Sequence, residues 1–235
     1  MSEPRYALYA VPEPGSALAR FAAAWLGRDI ETGESVGPPE RAGLPADLHR
    51  EVTAEPRRYG FHGTLKAPFR LAVGVHEAGA IVAAKAFAAE RGALAPIPLK
   101  LAALGRFLAL VPAAPSAELH ALANGAVEQL DSLRAPLSAV ELERRHKAPL
   151  TPPQAALLQR WGYPYVMDQF RYHMTLTGPL EPDVRARITD VLTPLLAPIV
   201  AAPYAIEDVA LCIEPTPDLG FRVLRRFGLL AVDSR

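Results

Sequence analysis

The sequence predicts an α+β fold: two pseudo-symmetric lobes of antiparallel sheet, with helices outside, around a central cleft. Two observations carry this reading. The stretch FHGTLKAPF, from Phe61, returns with small changes as YHMTLTGPL, from Tyr172. Each copy is followed by a helical run and then by two β-like runs, so a β-α-β-β unit is present twice. The units cover about 58–112 and 169–230, and residues 1–235 are expected to form a single two-lobed domain, long enough to bury a real core.

The elements follow in chain order. YALYAVP reads as a first strand and Ser16 to Gly27 (SALARFAAAWLG) as a helix. From Gly27 to Arg58 the chain is rich in Gly, Pro and charge without a steady period, which predicts an extended loop, either a lid over the site or a disordered segment. In the first unit the motif strand leads to a helix at Val75 to Arg91, with apolar residues three and four apart, then to the strands IPLKLAAL and GRFLALVP. Between the units, helices are expected near Ser116 to Leu133, Ser138 to Arg145 and Thr151 to Trp161. Ser138 with Glu141, and Thr151 with Gln154, have capping-box spacing, and Pro152 suits a first helical position. The second unit repeats the order with a helix at Pro182 to Leu196 and the strands YAIEDVALCIE and GFRVLRRFGLL.

Composition narrows the class. Half of the residues are hydrophobic and 21% are charged, and no apolar run approaches the roughly 20 residues that span a bilayer, so no membrane partner is expected. MSEPRYALYA has no basic stretch before an apolar core, and the lone Cys212 cannot form an internal disulfide, so a cytoplasmic protein is expected. Lys plus Arg and Asp plus Glu number 25 each, which gives no long-range field for nucleic acid; RNA is not favoured, and a monomer is expected.

Alternation along a strand puts His62, Thr64 and Lys66 on one face, with Phe61, Gly63 and Leu65 behind. In the second copy it groups Arg171, His173, Thr175 and Thr177. Inward polar groups without partners cost about 1–3 kcal/mol each, so two such strands point to a shared, ligand-receiving cleft. Imidazole titrates near pH 6.5, and a His pair can take a proton from a nucleophile and return one to a leaving oxygen, with Thr64 and Thr175 donating to a phosphate. Lys66, Arg58, Arg171 and Tyr59 are further candidates for substrate binding, although Tyr59 and Tyr172 also suit packing. His49, His76, His120 and His146 lack the repeated context and receive no role; the basic run ending at Lys147 and the pair at Arg225 read as solvated faces. No HExxH, CxxC, P-loop, GxGxxG or GxSxG occurs, so neither metal nor cofactor is expected.

The paired HGTL at His62 and HMTL at His173 resemble the motifs of the two-histidine phosphoesterase superfamily. That resemblance implies His62 and His173 as the catalytic acid–base pair, Thr64 and Thr175 as phosphate holders, and a metal-independent cyclic phosphodiesterase or phosphoesterase acting on a small phosphorylated sugar or nucleotide. The longer strings RYALYAVPEPGSALARFAAAWLG, RRYGFHGTLKAPFRL and WGYPYVMDQFRYHMTLTGPL are similar to a bacterial branch of phosphonate-metabolism proteins. The branch implies a phosphoribosyl cyclic phosphate as substrate. Gly63 departs from the superfamily, where an apolar residue usually follows the first His. Two alternatives stay open: an RNA-end or 2′,5′-phosphodiesterase or ligase, and a non-catalytic nucleotide- or phosphate-sensing module.

Overall fold

A computed structural model describes residues 3–38, 43–146 and 149–231. The first strand, β1, is Arg5–Ala10, followed by helices α1 (Ala17–Leu26) and α2 (Ala46–Tyr59). The first unit comprises β2 (Gly63–Phe69), α3 (Glu77–Ala89), β3 (Leu94–Ile97), β4 (Leu99–Leu104) and β5 (Phe107–Pro112). Then come α4 (Ala117–Gln129), α5 (Ala139–His146) and α6 (Pro152–Trp161). The second unit comprises β6 (Met174–Thr175), α7 (Pro182–Val200), β7 (Tyr204–Ile206), β8 (Asp208–Glu214) and β9 (Arg222–Gly228). The fold is α+β, and both units follow the same order of elements.

The sheet interleaves the units. Its order is β4-β5-β6-β2-β1-β8-β9, with every pairing antiparallel, and a second small sheet pairs β3 with β7. Equivalent strands therefore meet twice: β2 lies against β6, and β3 against β7. The β4–β5 hairpin of the first unit flanks the motif strand of the second. On the other side, β1 stands where β5 stands in its half, and the β8–β9 hairpin follows it.

One sheet face carries Leu8, Leu65, Leu110 and Met174 and packs into the main core with Trp25 of α1, Phe87 of α3, Leu122 of α4 and Leu192 of α7. On the opposite face a smaller cluster gathers Tyr9, Ile30, Cys212 and Phe221, with Tyr59 against it. The capping signals hold: the Ser138–Glu141 and Thr151–Gln154 boxes each close in both directions, and Ser16 also accepts from the third helical N–H of its helix.

The stretch read as an extended loop is instead helical in its last part, over α2. Helix α2 escapes a periodicity test because polar His49 and Thr53 share its buried face with Val52 and Pro56. Pro56 has no N–H for the Val52 carbonyl, which accepts from Gly178 N at 2.8 Å instead, so a gap in the helix ladder joins α2 to the end of the second motif. Upstream, Glu31 pairs with Arg226, which also holds Asp208. The two long β-like runs are each divided, at Pro98 and at Glu207, where the chain leaves the small sheet for the large one. Lys147, at the end of the basic run, lies outside the described residues.

Candidate active site

Strands β2 and β6 pair with Gly63 opposite Met174, the two residues that follow the motif histidines. A two-fold axis relating the motifs must pass between them. Continuing the antiparallel register one step each way sets His62 against Thr175 and Thr64 against His173. All four side chains share one face, and the two histidines are diagonal neighbours, about 7–8 Å apart at the backbone.

Gly63 owes its place to close approach. A Cβ there would lie 2.1 Å from the Tyr172 ring, because the tyrosine before the second histidine crosses directly behind the first motif. Tyr172 is itself buried, which accounts for the departure from the usual apolar residue.

The two histidines are held alike. Nδ1 of His62 is 2.9 Å from the Gly60 carbonyl, and Nδ1 of His173 is 2.8 Å from the Arg171 carbonyl, each two residues upstream. A carbonyl only accepts, so Nδ1 carries the proton in both rings and leaves Nε2 for chemistry. Nε2 of His62 lies 3.1 Å from the Thr64 hydroxyl. Beyond this the environments differ. The His62 ring stacks on Tyr9 with centroids 3.6 Å apart, whereas His173 faces the tilted ring of Phe107 at 5.7 Å. Burial, aided by the nearby His173, pushes the His62 imidazole down to about 4 against the pull of its bond to Gly60.

A cleft of about 640 Å³ borders this face, with Thr64, Arg171, His173, Gln154 and Gln169 in its lining, while His62 and Thr175 lie beside it and are not part of that lining. That is a size suited to a small organic ligand. Phe107, Tyr163, Tyr165 and Phe170 complete its walls. Sequence reasoning missed these four because Phe107 starts β5 while Tyr163, Tyr165 and Phe170 lie in the irregular stretch after α6, so they share no period.

The other expected site residues separate. Lys66 is not in the cleft. Tyr9 pairs with Thr64 but Leu8 with Lys66, so one residue of β1 spans two of β2. This bulge reverses the alternation and sends Lys66 to the core face, where Nζ donates to Val127 O at 3.0 Å and pairs with Asp131 at 3.4 Å. Thr177 is buried and accepts from Leu108 N. Arg58 is paired with Glu214, itself held by Arg5, and Tyr59 stacks on Phe221. Arg171 stays exposed on the cleft wall, with no acid partner among the described residues. No cluster of three or more His, Cys, Asp or Glu is placed to hold a metal among the described residues, and no helix there is long and apolar enough to cross a membrane.

Fold and site together describe an α+β protein with a duplicated His-x-Thr cleft. Residues 64–222 match the family described as Protein of unknown function (DUF1045), and the chain belongs to that family. It is 42% identical over 221 residues to a protein of Janthinobacterium sp. (strain Marseille) named Ribose 1,5-bisphosphate phosphokinase PhnN, with 92% of this chain and 49% of that protein aligned. A protein of the same name from Laribacter hongkongensis (strain HLHK9) is 37% identical over 231 residues, covering 98% of this chain and 53% of the other. The chain thus spans about half the length of these relatives. Crystal structures of E. coli LigT, complexed with NADP+ and in apo form, align over 97% of this chain and 99% of theirs, with TM-scores of 0.48 and 0.43 and identities of 17% and 16%.

Proposed function

We propose that this chain is a phosphoesterase of the two-histidine type that opens a small ribose-based cyclic phosphate without a metal. The observation that carries the reading is the Gly63–Met174 register, which sets both His-x-Thr pairs on one face, each histidine presenting Nε2. His62, kept neutral by burial, takes a proton from water as the water oxygen bonds to phosphorus. The ring P–O bond breaks, and His173, on the more open side, acts in its doubly protonated form and gives its Nε2 proton to the departing oxygen. Thr64 and Thr175 donate to the non-bridging oxygens, where such donors matter most as charge develops.

The ribose element draws on the relatives' printed name. This sequence has no GxxxxGK[ST], the phosphate cradle of many ATP-using enzymes. We assign the kinase name to the half of those proteins that this chain does not cover, and a ribose phosphate to the chemistry that the halves share. The aromatic walls favour a second reading, a nucleoside cyclic phosphate whose base stacks there.

Turnover in EDTA of 5-phosphoribosyl 1,2-cyclic phosphate and the 2′,3′-cyclic mononucleotides tests both readings. His62→Ala and His173→Ala should each lower turnover by about 10²–10⁴-fold. Undiminished turnover in both variants would remove the acid–base assignment, and tight binding without turnover would indicate a sensing module.

A further inference from the structure

A second cavity, of about 430 Å³, adjoins the cleft. Leu104, Phe170 and Arg171 line both, so the segment before the second histidine is the wall between them. Its charged and titratable lining is Lys100 from β4, His120 from α4, Arg171 and Tyr172, with no Asp or Glu in either cavity among the described residues. Three other cavities each include at least one carboxylate: Glu141 in the first, Glu31 in the second, Asp208 in the third. In a chain with equal numbers of acidic and basic residues, this is a local concentration of positive charge.

The groups are also available. Among the described residues no acid pairs with Lys100, whose Nζ reaches only the Ala113 carbonyl at 3.3 Å, and none pairs with Arg171. His120 is set by its edge-on contact with Phe170, at 5.6 Å. Ser116, the N-cap of α4, lies on the same lining, so the positive end of a 13-residue helix faces the cavity. Glu118 in that first turn is not part of the lining.

We infer that this cavity is a second anion site, in which Lys100, His120 and Arg171 bind a phosphomonoester while the diester lies between the His-x-Thr pairs. The inference rests on the proposed function and narrows it to a substrate that carries two phosphates. An ammonium, an imidazole and a guanidinium fork from three different elements suit the three outward oxygens of a monoester.

The test compares ribosyl 1,2-cyclic phosphate with and without a 5-phosphate. Lys100→Ala and His120→Asn should each raise KM for the 5-phosphorylated substrate at least about ten-fold, the loss of one charge-assisted bond. KM for the form without it should stay within about two-fold. Equal effects on both substrates, or none on either, would overturn the second site. Calorimetric binding of ribose 5-phosphate separates this failure from failure of the catalytic reading. If wild type opens neither ring, binding that survives His62→Ala but is lost in Lys100→Ala and Lys100→Glu still supports the pocket. Absence of millimolar binding, or binding indifferent to Lys100, would refute it.

Discussion

Replacing Gly63 with alanine is the sharpest test of how the motif strands meet. The new Cβ would lie 2.1, 2.2 and 2.3 Å from Cζ, the hydroxyl oxygen and Cε2 of Tyr172, where ordinary contact begins near 3.4 Å. The ring must therefore move by about 1.3 Å. Tyr172 is only 6% exposed, with Tyr204 beside it, so the ring yields only by shifting buried neighbours or by moving into the cavity it lines. Overpacking of this kind costs about 1–3 kcal/mol. Because position 63 lies between His62 and Thr64, any relief by strand movement shifts the acid–base pair, and a displacement of about 1 Å can lower a rate by about 10²-fold. Urea unfolding and turnover should be measured for Gly63→Ala, Tyr172→Leu and the double variant. The alanine should cost at least about 1 kcal/mol less when position 172 is leucine. A Gly63→Ala protein as stable and active as wild type, or a cost unchanged by Tyr172→Leu, would refute this packing.

The depressed His62 imidazole predicts an acid limb of kcat/KM near pH 4, well below the ordinary value near 6.5, and Tyr9→Leu, which opens the stacked ring to water, should move that limb upward. Between those pH values the unfolded chain binds a proton that the folded chain refuses, so His62 lowers stability as pH falls through the window and has no such effect above it; His62→Phe should flatten the decline in urea titrations. Lys66→Met should leave turnover within about three-fold of wild type, since Lys66 is turned to the core; a loss comparable to that of His62→Ala would return it to the site. Arg226→Met leaves Glu31 and Asp208 together without their cation and should cost about 3–5 kcal/mol by urea unfolding.

What could be read without coordinates depended on regular repetition. His62, Thr64, His173 and Thr175 share a face because two residues always return a strand to the same side. Lys66 obeyed that rule on paper and breaks it in the molecule, because a bulge arises from register against β1, which a single strand does not reveal. Helix α2 stayed hidden because His49 and Thr53 fill its inner face through hydrogen bonds and aromatic contact rather than apolarity; Thr53, for example, donates to the His49 carbonyl. The aromatic walls and the Lys100–His120 pocket depend on how segments distant in sequence come together.

The interleaved order of the strands also constrains synthesis and folding. Neither repeat builds a continuous piece of sheet from its own strands, since β6 stands between β5 and β2, and β1 must find β8 some two hundred residues later. During translation the first unit can form α3 and the β4–β5 hairpin, but β1 remains without one of its neighbours until residues 208–214 have left the ribosome. Long-range closure of this kind is slow, and until it occurs the apolar edge of β1 is open to wrong partners.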